Sequence, residues 1–526
     1  MNHKSHEVQE LPPVRKGDLR YTDRLRHLIQ SAQHAAVVSL QKFSIGGQVL
    51  RSRLNVENAH KLQSSGLTPG VRFNAYYAPG IIEIVKDDAG TNVVSPKRLV
   101  KRDGSVQIGG RIDLRSLQVH ENLGAEERVL ALYLSGRIVF LHLPSVARNC
   151  DRIQRLLESV ESGRIQTVSL YSGVGTLDAA LHEGFAKAGL ESTTLLANDS
   201  WEDAIDCLLD NNPATTRATK SFAGGIEQFI ASGMRIPGAT MVNIGMVCKG
   251  ASRLNVLTRD LPEMHPVAGH QVLNAVMAIQ QLEFPPLVLF ENVLAWTDTV
   301  SFSMLRRALN DQGYQTTLAG DTDEQENYAG LNSNDYGDIE RRVRMALLAF
   351  PAGIDISLKG MRKSGPSTKT VGDIRLPEEL IDPSEYQKGA HLASEQKIAN
   401  RWHMRVADDT DNRTPSLSAG CWKQRVEDAR LRHPTNPQKS RLPLPEEHAR
   451  LKGHDPKLVN SLTSNSHAHT ALGNGTAKRC WVEFARALGE ELRAKSRDMA
   501  NYLSRIQQGV TVMIHSEEPD LFSALQ

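Results

Sequence analysis

An α/β fold is predicted for most of this chain, on two features of the sequence. From Gln166 onward, short apolar runs of strand length alternate with stretches of helical periodicity. A glycine-rich turn, Gly173-Val174-Gly175, separates the first of these strands from the first helix, which lets a ligand approach the backbone at the positive end of the helix. These features are typical of a Rossmann-like core, whereas the preceding part of the chain predicts a separate all-β domain.

Length and composition indicate a globular protein with several domains. The chain has 526 residues, of which 40% are apolar and 23% charged, so about three or four domains are expected. No apolar run reaches the roughly 20 residues of a membrane helix, and the polar start lacks the apolar core of a signal peptide, which favours an intracellular location. The five cysteines have no paired spacing, which argues against a disulfide framework and a cysteine zinc site. We therefore predict no bound metal.

The first part of the chain is expected to form a flexible start and an accessory domain. Residues 1–30 are polar and lack periodicity. Six β-type runs follow in the domain predicted over 31–147, at 36–40, 71–77, 81–85, 107–114, 129–134 and 138–143. The pair Ser135-Gly136 predicts a tight hairpin turn between the last two. No catalytic constellation stands out, so we expect a module that binds another protein or nucleic acid, followed by a linker helix over 148–163.

The domain predicted over 164–355 places several strand ends on one edge of a sheet. Strands are predicted over 167–170, 194–197, 239–244, 287–290 and 345–350, and helices over 177–188 and 304–309. Open α/β sheets bind ligands in the crevice at the carboxyl ends of their strands. We expect a functional crevice at this edge, with Asn198-Asp199 placed to bind ribose hydroxyls.

Cys248 is the candidate nucleophile at this edge. It follows an apolar strand, is flanked by small residues and stands next to Lys249, a cation that would favour its ionised form. The alternative is an inert buried side chain, as free cysteines usually are. Glu291 follows the next strand. Arg342 and Arg344 alternate at the start of another strand and are therefore expected to point to one face.

Several blocks together resemble those of the cytosine-C5 DNA methyltransferase family. In order and spacing they are YSGVGT at 171–176, VCKG at 247–250, ENV at 291–293 and ERRVR at 340–344. TPSL at 414–417, the stretch 441–453 and GNGT at 473–476 are similar to later blocks of the family. The resemblance covers about residues 168–488 and implies an S-adenosylmethionine-dependent methyltransferase core.

The resemblance also implies which residues would bind the cofactor and carry the chemistry. S-Adenosyl-L-methionine would be bound by Tyr171, Ser172, Gly173, Gly175, Thr176, Leu177, Asp199, Ser200, Ile226, Val247, Asn474 and Thr476. Cys248 would add to C6 of cytosine while Glu291 contacts N3 and the N4 amino group, which makes C5 nucleophilic. Arg342 and Arg344 would hold the cytosine oxygen and support the catalytic loop.

The implied function is that of a DNA (cytosine-5-)-methyltransferase of the restriction-modification kind. Such an enzyme flips its target base out of double-stranded DNA. The expected setting is the cytoplasm, with the protein encoded by a prokaryote or a phage. Two alternatives stay open, namely a tRNA cytosine-5 methyltransferase on the same fold and a catalytically silent DNA-binding relative.

Four positions depart from the family's pattern. Val247 replaces a proline and leaves the loop before the nucleophile less constrained. Gly225 stands where the family has an aspartate that contacts the adenine, a loss worth ~1 kcal/mol of cofactor binding. Lys249 and Glu340 replace two glutamines, and we expect this pair to form a salt bridge.

Residues 356–440 are expected to hold the target-recognition region, chiefly within 360–420. This segment has side chains that can reach base edges and lacks core-forming periodicity. The chain then returns to the core over 441–526, where a long helix is predicted from Ala477 to about Ile506. His467 and His469 are interpreted as loop residues without a third metal ligand.

Overall fold

The computed structural model describes residues 28–45, 48–78, 80–123, 128–251, 262–322, 327–389, 392 and 404–504. The chain divides into two compact units, one of residues 1–154 with 498–526 and one of residues 155–497. Residues 1–27 of the start that is predicted to be flexible lie outside the described residues.

The first unit contains two antiparallel sheets. Its strands are β1 (His34–Ser39), β2 (Gln41–Ile45), β3 (Gln48–Val56), β4 (Arg72–Ala78), β5 (Ile81–Lys86), β6 (Asn92–Val93), β7 (Ser95–Val100), β8 (Val106–Ser116), β9 (Arg128–Leu134) and β10 (Arg137–Leu141). They form sheets of order β1-β9-β10-β5-β4-β6 and β2-β3-β8-β7. Buried side chains such as Leu54, Phe73 and Phe140 pack into one cluster.

Short helices distinguish this unit from the all-β domain expected. Helices α1 (Ala59–Ser64) and α2 (Leu117–Leu123) lie between its strands, and α3 (Pro144–Glu161) follows them. The predicted turn is present, because Leu134 pairs with Arg137 across Ser135 and Gly136, and Gly136 has the positive φ that such a turn requires. Strands β2, β3, β6 and β7 were not predicted, since their residues alternate too weakly between apolar and polar.

A nine-stranded mixed sheet forms the centre of the second unit. Its strands are β11 (Arg164–Leu170), β12 (Glu191–Asp199), β13 (Lys220–Ala223), β14 (Met241–Gly245), β15 (Leu287–Val293), β16 (Tyr314–Ala319), β17 (Asp321–Thr322), β18 (Tyr328–Asn332) and β20 (Val343–Pro351), while β19 (Glu340–Arg341) lies beside it. The order is β13-β12-β11-β14-β15-β20-β18-β17, and β16 also pairs with β20. The first five strands in this order run parallel, as the sequence predicts for an α/β fold.

Helices cover the sheet and close the unit. They are α4 (Thr176–Lys187), α5 (Glu202–Asn211), α6 (Ile226–Ser232), α7 (Gln271–Gln281), α8 (Val300–Asp311), α9 (Val371–Ile374), α10 (Pro445–Leu451), α11 (Asn465–Asn474) and α12 (Arg479–Ala494). A Cβ added to Gly184 in α4 would lie 2.3 Å from the carbonyl oxygen of Val482 in α12, so these two helices are in backbone contact. The predicted long final helix is interrupted at Lys495 and is helical again over 496–504; its expected end at Ile506 lies outside the described residues.

The segment 356–440 contributes most of the residues of a small buried core, which also includes Ile339, Leu442 and Leu451. Strands β21 (Arg405–Ala407), β23 (Ala429–Arg432) and β24 (Ser440–Arg441) form a three-stranded sheet, and β22 (Thr414–Pro415) pairs with β19. Val371, Leu417 and Leu431 are fully buried in one cluster. Apolar residues that are far apart in sequence form this core, so no local periodicity reveals it. Among the described helices none has the length and apolar character to cross a membrane.

Candidate active site

Strand ends of the central sheet surround a cavity of about 370 Å³. Strands β11, β12, β14 and β15 reach it with their carboxyl ends. Strand β20 runs antiparallel to β15, with Arg344 opposite Val293, so the start of β20 lies at the same edge. Three of the four predicted catalytic residues line the cavity, namely Cys248, Glu291 and Arg344.

Glu291 is held by Arg344 beside the candidate nucleophile. The Nε atom of Arg344 lies 3.0 Å from Oε1 of Glu291, and both side chains are largely buried. An ion pair with a guanidinium fixes the orientation of a carboxylate and leaves further lone pairs for a ligand. Cys248 is half-buried in the loop after β14. The cavity thus brings together a thiol and an oriented carboxylate.

Arg342 lies behind the cavity and not in its lining. Its Nη2 donates to the carbonyl oxygens of Gly473 (2.8 Å) and Asn474 (3.3 Å), and its Nη1 donates to Oγ of Ser416 (2.9 Å). Burial lowers the pKa of its guanidinium to about 10, with the nearby charge of Arg344 acting in the same direction. Arg342 therefore ties the start of β20 to the GNGT stretch.

Glu340 is paired with Lys452, and the salt bridge expected with Lys249 is not formed. The Nζ atom of Lys452 lies 3.0 Å from Oε2 of Glu340, and both side chains are fully buried. Ser416 also donates to Glu340, whereas Lys249 is exposed. Burial alone would raise the pKa of Glu340, but the charges of Lys452 and Arg342 and the hydrogen bond from Ser416 together outweigh burial and hold the pKa below its usual value.

Ten of the twelve predicted cofactor residues line the cavity. They are Tyr171, Ser172, Gly173, Thr176, Leu177, Asp199, Ser200, Val247, Asn474 and Thr476. The backbone N–H of Gly173 donates to Oδ2 of Asp199 at 2.8 Å, which joins the turn after β11 to the end of β12. The backbone N–H of Thr476 donates to Oγ1 of Thr176 at 3.0 Å, which brings the GNGT stretch to the same place.

Gly175 and Ile226 do not line the cavity. Gly175 has a positive φ of 73°, and a Cβ there would lie 2.3 Å from Nδ2 of Asn212, so it permits the close turn into α4. Ile226 is buried in the hydrophobic core of the sheet. Both positions support the cavity through packing.

Polar or aromatic residues of the lining that were not predicted include Asp178, Asn243, Asn292 and Trp201. Asp178 accepts hydrogen bonds from Ser169 (2.8 Å) and Asn243 (3.1 Å), and burial raises the pKa of its carboxyl. Nδ2 of Asn292 is buried and has no hydrogen-bond partner among the described residues. A polar residue inside an otherwise apolar strand, as at Asn243, is a sequence feature that could have revealed this network.

Comparisons with known proteins agree with the motifs. No protein-family model matches the chain. The curated protein "DNA (cytosine-5)-methyltransferase 1" of Rattus norvegicus is 26% identical over 214 residues, which are 38% of this chain and 12% of the relative. Its counterpart of Mus musculus is 25% identical over the same length. The matched region thus spans about an eighth of the length of these relatives.

A solved structure of S. pombe Dnmt2 methyltransferase is similar with a TM-score of 0.44 and 16% identity, covering 64% of this chain and 99% of that one. A likeness at this level carries no weight for function. The names of these two curated relatives agree with the family that the motifs of this chain resemble. The chain is accordingly identified, on sequence motifs and curated relatives, as resembling the cytosine-C5 methyltransferase family.

Proposed function

We propose that the chain is an S-adenosylmethionine-dependent DNA cytosine-5 methyltransferase that acts through Cys248. The observation that carries this proposal is that Cys248 and the Glu291–Arg344 pair line the same cavity as the Gly173 turn and Asp199. The proposed nucleophile and carboxylate therefore line the same cavity as the glycine-rich turn and the acidic residue that would bind a nucleoside.

The residues of the cavity fit S-adenosylmethionine. The volume of the cavity is in the range of small-molecule sites. The unpartnered Nδ2 of Asn292 offers a hydrogen bond, and a Cβ at Gly475 would fill the space beside Thr176. Asp199 would bind the ribose hydroxyls, and the Gly173 turn with Trp201 and Asn474 would enclose the rest. When bound, the cofactor supplies an electrophilic methyl group.

The chain's own residues would make C5 of cytosine nucleophilic. The Cys248 thiolate adds its electron pair to C6, and the C5–C6 π electrons become available at C5. Glu291, oriented by Arg344, contacts N3 and N4 and stabilises the charge that develops on the ring. Once C5 carries the methyl group, transfer of the C5 proton to water as the base restores the C5–C6 double bond and expels the Cys248 thiolate. The base must be rotated out of the duplex to reach Cys248.

Transfer of labelled methyl groups tests the proposal. Folded protein is incubated with labelled S-adenosylmethionine and, in parallel, with genomic duplex DNA and total tRNA. We expect label in DNA, lost in Cys248→Ser and kept in the matched Cys480→Ser variant, whose thiol is buried away from the cavity. Label found in tRNA and not in DNA would show that the substrate is RNA. Absence of cofactor binding at millimolar concentration would identify a catalytically silent protein.

Residues 356–440 are proposed to read the DNA sequence, while the first unit affects affinity or partner choice. The small sheet of β21, β23 and β24 and the buried cluster beside it give this region packed contacts that can hold its loops in place. Grafting this region from another family member should change the methylated site, and a fragment starting at Pro144 should keep it. Methylome sequencing of cells with each protein decides, because an altered site in the fragment would place recognition in the first unit.

A further inference from the structure

Three potential metal ligands from separate segments meet in the interior of the second unit. Cys421 lies in a short 3-10 turn of the segment 356–440, His448 in α10 and His469 in α11. All three are buried, and one donor atom from each lies within 4.8 Å of the others. The cluster is separate from the cavity that holds Cys248.

The two histidines face each other with their ring nitrogens. Nδ1 of His448 lies 3.1 Å from Nδ1 of His469, and the rings are stacked at an angle of 27°. Nε2 of His448 is buried and has no hydrogen-bond partner in the described part of the chain. A neutral imidazole has one ring nitrogen with a lone pair, so each of these rings can serve as a metal ligand. Buried polar atoms usually have a hydrogen-bond partner, so the unpaired Nε2 of His448 requires an explanation.

We propose that Cys421, His448 and His469 bind one zinc ion. A thiolate and two imidazoles are donors that zinc prefers, and a water molecule as fourth ligand would complete the tetrahedral site. Bonds of about 2.0–2.3 Å in a tetrahedral site hold the donors about 3.3–3.7 Å apart, so binding needs inward movements of about 1 Å at most. The proton of the Cys421 thiol leaves when the Zn–S bond forms.

Charged groups of both signs surround the cluster. Lys452 and Arg342 act on His448 as nearby cations, and Glu340 offsets part of their charge. Asp428 lies near Cys421, but both of its carboxylate oxygens accept hydrogen bonds from Ser418. Among the three proposed ligands, Cys421 is the one that would bring a negative charge to the metal.

The proposed ion would fasten the segment 356–440 to the wall of the cavity. A Cβ at Gly473 in α11 would lie 2.4 Å from the backbone nitrogen of Ala419, and Thr470 donates to the carbonyl oxygen of Ala419 at 3.2 Å. Ala471 and Asn474 of the same helix line the cavity. Zinc bound by Cys421 and His469 would stabilise this contact between the segment 356–440 and α11.

Metal analysis of the full-length protein tests the site. Protein made in zinc-sufficient medium and purified without chelator should carry one zinc ion per chain by plasma mass spectrometry. Cys421→Ala and His469→Asn should lower the zinc content at least about tenfold. The matched variants Cys480→Ala and His467→Asn, which change a buried cysteine elsewhere and an exposed histidine on the same helix, should keep it. Zinc retained equally by all four variants would overturn the assignment.

Cobalt provides a second readout that does not depend on the variants folding. Wild-type protein prepared without zinc is titrated with Co²⁺ alone. We expect intense tetrahedral d–d bands and a thiolate-to-cobalt charge-transfer band that saturate at one ion per chain and disappear when Zn²⁺ is added. Weak octahedral bands without charge transfer, in protein that also lacks zinc as isolated, would overturn the proposal.

Discussion

The ammonium group of Lys452 lies 3.0 Å from Oε2 of Glu340, and neither side chain has exposed surface. The two residues are 112 positions apart, and Arg342 lies 3.8 Å from the same carboxylate. This buried pair supports the strand start that carries Arg342 and Arg344. Removing one partner leaves the other charge buried and uncompensated.

The variants Glu340→Gln and Lys452→Gln should each destabilise the protein by about 3–5 kcal/mol, while the double variant should lose less than the sum of the two. Urea unfolding of the four proteins measures this coupling. Lys187→Gln is the control, because its pair with Glu183 is exposed and should contribute only about 0–1 kcal/mol. Additive losses in the double variant would show that the pair is not coupled.

Replacing the carboxylate of the cavity should slow chemistry without abolishing cofactor binding. Glu291→Gln keeps the shape but loses the charge that Arg344 orients, so we expect single-turnover methyl transfer to fall by about 10²–10⁴-fold. Cys248→Ser should abolish transfer. Both should bind S-adenosylmethionine within a few-fold of the wild type. A Glu291→Gln rate equal to that of the wild type would remove this residue from the proposed mechanism.

Gly473→Ala should disturb the contact between α11 and the segment before Cys421. The added methyl group would lie 2.4 Å from N and 2.5 Å from Cα of Ala419, and backbone on both sides limits relaxation. We expect a loss of about 1–3 kcal/mol and weaker cofactor affinity, because the carbonyl of Gly473 also holds Arg342. Gly360→Ala, which meets nothing within 4 Å, is the matched control. Equal melting temperatures of the two variants would contradict this account.

Asp338 should make stability depend on pH. Its carboxyl is buried, and burial raises its pKa to about 8 from the usual 3.8, although the backbone N–H of Arg479 donates to it. Between these two values the folded chain keeps a proton that the unfolded chain has lost, so stability falls as pH rises from about 4 to 8 and is level above that.

The variant Asp338→Asn removes that titration. Relative to the wild type it should therefore gain stability as pH rises from 5 to 8, with no further gain above about 8. Urea midpoints of both proteins across this range give the difference directly. A difference that stays level from pH 5 to 8 would mean that Asp338 is already ionised in the folded protein over this range.

Functional residues could be predicted from the sequence where their position depends on residues close to them in the chain. Cys248 and Glu291 follow apolar strands, so their place at the sheet edge could be predicted, and the hairpin at Gly136 needed only a local turn pair. The partner of Glu340 could not be found in this way. Lys249 and Glu340 both replace a glutamine of the family pattern, which suggested that they pair. In the folded chain, Lys452 at the end of helix α10 pairs with Glu340 instead.

The same limitation applies to the cluster of Cys421, His448 and His469. His467 and His469 were expected in a loop, and both lie in α11, where His469 turns inward and His467 outward. Three ligands contributed by three segments show no spacing pattern, so only the tertiary structure brings them together.

The hydrogen bond between Thr476 and Thr176 spans 300 residues. A ribosome that adds about 5–20 residues per second needs about 15–60 s to make the chain between them. During that time the nascent chain has the nucleophile loop, but it lacks the GNGT stretch that completes the cavity and the helix α12 that packs on α4. Incomplete chains released early would therefore expose an apolar helix face, be open to proteases and lack the assembled cavity.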